Sequence, residues 1–346
     1  MNSLRNSPVW SGRTALVALT VFGWCWCSEW HAVAEPPPAG AKPAASGSAD
    51  SAQAPGPAAG QRPPEKKGAA SGEPSQSTAT DAESAAEAER TLDTARRRLV
   101  GYRSVRARLT EVVRIGKLPL RIEGTYVQGP QLRLRLEYTL KTAGTTAELL
   151  EVCDGQLLLS RRRVGKQVHV TRRDIGQILE ALRGSANVKK TVLAFQMGLG
   201  GLPALLASMQ ETMDWHRQEQ TTWQGQAAVA IEGRWKPAIR DRLGGERLPG
   251  YVPETARIVF DRRTLFPRRI EFFRADDNDP PGRETLLRLS IDDVVLDGPV
   301  RDADFTFVPP DDVPIEDVTQ AYIQALKPRA AKSPAQSGAA PAEGQP

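Results

Sequence analysis

Between Gln131 and Lys141 apolar and polar residues alternate without a break. Leu132, Leu134, Leu136, Tyr138 and Leu140 hold one parity; Arg133, Arg135, Glu137, Thr139 and Lys141 hold the other. Period-two alternation puts the two sets on opposite faces of a strand, whereas a helix would scatter the leucines around its circumference. All five apolar residues are therefore expected to face inward and the charged set to face water. The inward face must meet a core, a lid or a ligand.

The same reading extends to both sides. Val105–Ile115 and Leu118–Val127 read as strands joined by Gly116-Lys117. Thr145–Asp154, Gln156–Val164 and Gln167–Arg172 follow Gln131–Lys141, with Gly155 and Gly165 at the turns. Turn signals every 8–12 residues point to a meandering antiparallel sheet or barrel. Strands resume at Met213–Thr222 and Gln226–Trp235. A loop with Pro237, Gly244, Gly245 and Pro249 comes next. Thr255–Asp261, Arg268–Arg274 and Glu284–Val295 complete a set of about eleven strands.

Helical spacing appears in two places. Asp81–Val100 is rich in Ala, Glu and Arg and is stopped by Gly101. Between the sixth and seventh strands Asp174 can cap a short helix, Ile175–Leu182. Two apolar segments follow, Val188–Leu199 and Leu202–Met209, jointed by Gly198, Gly200 and Gly201. This insert carries Leu193, Phe195, Met197, Leu199, Leu202, Leu205, Leu206 and Met209, with Met213 just beyond. Methionine adapts to varied apolar shapes and glycine joints allow a lid to move. An apolar helix over a sheet is equally the ordinary covering of a core, and the two roles are compatible.

Composition changes the picture at the ends. Arg5 and Arg13, the apolar run Thr14–Trp26 and the Ala32-Val33-Ala34 triplet form a secretory signal, placing the mature start near Glu35. An uncleaved anchor is the alternative, though the run is short of the roughly 20 residues a membrane span needs. Residues 35–80 and 328–346 are rich in Pro, Ala, Gly, Ser and Gln and are expected to stay disordered. A domain over residues 81–327 lies between these tails. The net charge of +5 becomes +4 once Arg5, Arg13 and Glu29 leave, a mild excess that argues against nucleic acid.

Candidate chemistry is thin. Of three cysteines, Cys153 alone survives signal removal, so no internal disulfide is expected. It reads as a small buried hydrophobe or, less simply, as a reactive thiol. His169 and His216 sit on strands among polar neighbours. No H-E-x-x-H, G-x-S-x-G or CxxC motif occurs, so neither an enzyme nor a cofactor or metal site is expected. Asp276-Asp277-Asn278-Asp279 lacks calcium-loop spacing because Pro280 and Pro281 intrude, and reads as a hairpin tip. Arg161-Arg162-Arg163, Lys166, Arg172 and Arg173 read as a solvated edge that discourages strand pairing, or as a headgroup or membrane-docking patch.

Several local segments resemble the LolA-like, outer-membrane lipoprotein-sorting family. These are Tyr102-Arg103-Ser104-Val105 after the opening helix, Leu150-Glu151-Val152-Cys153-Asp154-Gly155, Ile258-Val259-Phe260-Asp261 with Pro267-Arg268-Arg269-Ile270, and the closing Phe305-Thr306-Phe307-Val308-Pro309-Pro310. The resemblance covers about residues 85–325. It implies a mainly β fold with α: an unclosed antiparallel half-barrel with a helical lid on its concave face. It further implies a monomeric periplasmic or envelope protein that binds lipid acyl chains or lipoprotein, with transient membrane-surface or envelope-protein contacts. The expected ligand-binding set is Leu132, Leu134, Leu136, Tyr138, Leu140, Leu193, Phe195, Met197, Leu202, Leu205, Met209, Met213 and Trp235. A regulatory or scaffold module of the RseB type, with the hollow filled by its own side chains, is the alternative.

Overall fold

The computed structural model describes residues 76–116, 118–142, 144–181, 201–276 and 282–326. Twelve strands form a single sheet. They are β1 (Val105–Ile115), β2 (Leu118–Gln128), β3 (Leu134–Lys141), β4 (Thr146–Cys153), β5 (Leu157–Val164), β6 (Gln167–Asp174), β7 (Met213–Trp223), β8 (Gln226–Trp235), β9 (Thr255–Asp261), β10 (Pro267–Asp276), β11 (Gly282–Leu296) and β12 (Ile315–Asp317). Their order is β12-β6-β5-β4-β3-β2-β1-β11-β10-β9-β8-β7. Two meanders, β1–β6 and β7–β11, meet where β1 pairs antiparallel with β11. The sheet is mainly β, curved and unclosed, an open half-barrel.

Alternation fixes which residues face the hollow. On β3 the burial pattern follows parity, with Leu134, Leu136, Tyr138 and Leu140 all buried and Arg135, Glu137 and Thr139 half-buried on the convex face. Register carries that parity across the sheet. Leu136 faces Tyr126 on β2 and Glu151 on β4; Tyr138 faces Gly124 and Leu149. Gly124 is required there, because a Cβ would lie 2.6 Å from the Tyr138 ring.

Leu132 departs from the expected strand. It is 39% exposed and lies in a turn. Gln131 and Leu132 both take left-handed backbone angles (φ 59° and 64°), and the loop is closed by Gly129 N–H donating to Arg133 O at 2.9 Å. The chain has already left the sheet after Pro130, so Leu132 no longer shares the parity of Leu134.

Five helices accompany the sheet among the described residues. α1 (Gln76–Gly101) starts five residues before the expected Asp81, since no breaker follows Pro74. Ala88, Leu92, Ala95 and Leu99 form a fully buried stripe at helical spacing. The helix packs on β7 and on α3 (Gly201–Thr212), and the Gln218 N–H of β7 donates to the Ser84 hydroxyl at 3.0 Å. α2 (Ile175–Ala181) buries Ile175 and Ile178. α4 (Pro237–Leu243) occupies what the sequence presented as loop; proline at its first turn suits a helix start.

The C-terminal segment was only partly legible. After β11 it crosses the convex face, where Asp302 and Asp304 pair with Arg133 (2.7 Å) and Arg106 (2.9 Å) and Phe305 is buried against Gly129. It then adds β12 parallel to β6 and ends in α5 (Thr319–Leu326), which packs on α2. The β5–β6 hairpin is therefore not a free edge. The expected helix Val188–Leu199, with Leu193, Phe195 and Met197, lies outside the described residues.

Candidate functional site

An apolar cavity of about 410 Å³ opens at one end of the half-barrel, between α3 and the sheet. One wall is α3, contributing Leu205, Ser208, Met209 and Thr212. The other is the sheet: Val113 and Ile115 from the end of β1, Trp235 from β8, Phe272 from β10, and Leu286 and Leu287 from β11. Gly250, Tyr251 and Pro253 form one side of the mouth; Arg114, Gly116 and Glu284 form the other. Tyr251 is 78% exposed.

Each wall is held by an identifiable device. Gly201 begins α3 with φ +51°, and a Cβ there would lie 1.9 Å from the Tyr126 hydroxyl. That hydroxyl accepts a hydrogen bond from Leu202 N–H at 3.1 Å and donates to Gln128 Oε1 at 2.5 Å. One of the orphan donors of the helix start is thereby satisfied from the sheet. At the other end of α3, Lys236 donates from its backbone N–H to Thr212 O (3.0 Å) and from Nζ to Gln210 O (3.0 Å). Trp235 Nε1–H donates to Pro253 O at 2.6 Å, fixing the mouth loop to β8. On β11 the register slips: Phe272 faces Leu287 but Phe273 faces Thr285. The extra residue, Leu286, is a bulge that aims two adjacent leucines at the cavity.

The structure divides the expected ligand-binding residues. Leu205, Met209 and Trp235 line the cavity. Leu134, Leu136, Tyr138, Leu140, Leu202 and Met213 are buried in the core cluster behind it. Leu132 is not part of the hollow. Val113, Ile115, Tyr251, Phe272, Leu286 and Leu287 were missed. The Leu286-Leu287 doublet, which interrupts an otherwise alternating strand, was the available signal.

The middle of the hollow is filled and partly polar. Arg173, read from sequence as part of a solvated edge, is 2% exposed. Its parity on β6 points inward beside Leu158. It donates to Ser160 Oγ (3.1 Å) and to the Tyr322 hydroxyl (3.0 Å), lies 3.6 Å from Glu151, and has the Tyr322 ring 4.6 Å from its guanidinium carbon. Ser160 donates to Glu151 at 3.0 Å. Two other arginines of that hairpin are engaged outside: Arg163 with Glu148 (2.6 Å) and Arg172 with Asp317 (2.8 Å). Burial holds the Tyr138 hydroxyl well above its usual pKa, reinforced by the charges of Glu111 and Glu151. Burial likewise pushes the Cys153 thiol up to about 11, which suits a packed side chain rather than a nucleophile. Among the described residues no group of three His, Cys, Asp or Glu could hold a metal ion, and no helix is long and apolar enough to cross a membrane.

Solved structures similar to this chain include LprF from Mycobacterium bovis, at 16% identity and TM-score 0.34, covering 62% of this chain and 95% of that one. A domain described as an outer membrane lipoprotein-sorting protein, from Vibrio parahaemolyticus, matches at 9% identity and TM-score 0.29, covering 64% of this chain and 97% of its own. MucB, in the Pseudomonas aeruginosa MucA/MucB complex, matches at 11% identity and TM-score 0.31; this chain spans 61% of it, and 64% of this chain is covered. No family model and no curated protein matches the chain. All three TM-scores lie below 0.5.

Proposed function

We propose that this chain is an exported, non-enzymatic binding protein that holds an acyl chain, free or on a lipoprotein, in the cavity beneath α3. The apolar cavity itself carries the reading. It lies in the range of about 300–1,000 Å³ typical of small-molecule sites and combines aliphatic walls with a polar mouth. Met209 gives one wall an adaptable side chain. Each buried methylene contributes about 0.8 kcal/mol, so partial insertion of a chain gives useful affinity. The Ala32-Val33-Ala34 site supports export to the envelope.

The filled centre of the hollow favours a second reading, a regulatory or scaffold module that transports nothing. Leu134, Leu136, Tyr138 and Leu140 are all buried in the core cluster over β3. Titration with an apolar fluorescent dye, followed by displacement with a fatty acid, separates the two. The binding reading expects saturable dye uptake that Met209→Glu abolishes and Arg163→Ala leaves intact, because a charge in an apolar site costs several kcal/mol to desolvate. Thermal melts on the same variants report whether Met209→Glu is still folded. A folded wild type that takes up no dye defeats the binding reading.

A further inference from the structure

Resting on the acyl-binding reading, we propose that the cavity takes a ligand with one acyl chain and one anionic head, the head held between Arg114 and Arg274. Volume limits the chain. At about 410 Å³ the cavity lies in the lower part of the range of about 300–1,000 Å³ typical of small-molecule sites, which suits one acyl chain better than two.

Charge at the mouth selects the head. The bulge at Leu286 brings Glu284 to the rim, directly opposite Arg274 in the β10–β11 register. Glu284 pairs with Arg114 at 3.3 Å. Arg274 makes no ion pair within 4.0 Å among the described residues, and its Nη1 lies so near Gly250 that a Cβ there would be 3.0 Å away. Gly250 lines the cavity. The nearby Glu254 carboxylate is turned to Ala275 N–H at 3.2 Å. Arg114 on the cavity rim and Arg274 beside the rim residue Gly250 thus put two guanidinium groups near its opening. Arginine carries five N–H donors and Glu284 occupies few of them, so a carboxylate or phosphate head can be bridged by both side chains. A chain seated among Leu205, Met209 and Leu287 would bring its head to this rim.

Calorimetric titration of the purified protein with dodecanoate, dodecanol and dilauroyl phosphatidylglycerol vesicles tests this. Dodecanoate is expected to bind about tenfold tighter than dodecanol, equivalent to about 1.4 kcal/mol. The double variant Arg114→Gln, Arg274→Gln is expected to bind the two equally, with an unchanged melting temperature. Phosphatidylglycerol is expected to bind far more weakly than dodecanoate despite its negative head. Equal affinities of wild type for acid and alcohol overturn the anionic head while leaving the acyl reading standing. Phosphatidylglycerol binding as tightly as dodecanoate overturns the single chain. No binding by any of the three defeats the acyl reading itself.

Discussion

Replacing Arg173 by Met removes a buried charge whose partners stay behind. Arg173 is 2% exposed and Glu151 6%, with the ions 3.6 Å apart. At an effective dielectric near 20 their attraction is about 4–5 kcal/mol, most of it spent on desolvating the two groups. Deleting one partner strands the other, and losses of about 3–5 kcal/mol follow in such cases. Arg173 also anchors Tyr322, so the docking of α5 weakens with it. An exposed hairpin arginine would cost less than about 1 kcal/mol. Urea unfolding resolves the difference. At a slope of about 2.5 kcal/mol/M, the midpoint should fall by about 1.2–2 M. Arg173→Met combined with Glu151→Leu should recover part of the loss, since no unpaired ion then remains. A single-variant loss under about 1 kcal/mol, or a double variant as unstable as the sum of the two singles, refutes the reasoning.

Three further outcomes are expected. Gly201→Ala should cost about 1–3 kcal/mol, from a left-handed φ forced on alanine and a Cβ 1.9 Å from the Tyr126 hydroxyl; the cost should shrink in a Tyr126→Phe background, as a thermal-melt cycle will show. Cys153, its thiol pushed up to about 11 and fully buried, should resist iodoacetamide at pH 8 in the native state and react rapidly in urea, which mass spectrometry reads directly. Asp317 is held down at about 2 by the Thr319 hydroxyl and N–H and then by Arg172, against about 3.9 in an unfolded chain. A depressed carboxyl contributes stability above its unfolded pKa that is lost as pH falls through the folded one, so the end of the C-terminal segment should loosen between about pH 4 and pH 2. Hydrogen exchange at Val318 and Tyr322, whose N–H groups donate to Arg172 O and Val318 O, should accelerate in that window first.

The strands were legible wherever one face is apolar. On β3 the leucine parity reads directly as burial, and β1 follows the same rule, whereas β8 is buried on both faces, Ile231 in the main core and Ala228 and Ala230 in a smaller cluster. Legibility failed where inward residues are polar. Arg173, Ser160 and Thr171 point into the hollow beside Glu151, so the alternation of β5 and β6 gives no sign of which face is inside. Their arginines read as one solvated group when one of them is in fact interior. β12 has three residues and α5 eight, too short for either period to assert itself. Leu132 shows the opposite failure, a parity that continues in sequence after the backbone has turned. The cavity was half legible: Leu205, Met209 and Trp235 carry helix and strand signals, whereas Leu286 enters through a register slip that depends on β10.

The pairing of β1 with β11 has a consequence for the order of assembly. β1 can pair with β2 as soon as the first hairpin forms, but its other edge waits for a strand that begins at Gly282. The interval before β11 arrives is set by closing a loop of about 165 residues, from Ile115 to Gly282. Throughout it the middle of the future sheet is an unpaired edge carrying Leu109 and Val113. The fold thus has high contact order at its centre and local contacts at its flanks, and its closing step should be slow and exposed to misassociation. A protein that ends as two meanders sewn along one seam spends its early life as one meander with an open selvage, vulnerable to any other strand it meets.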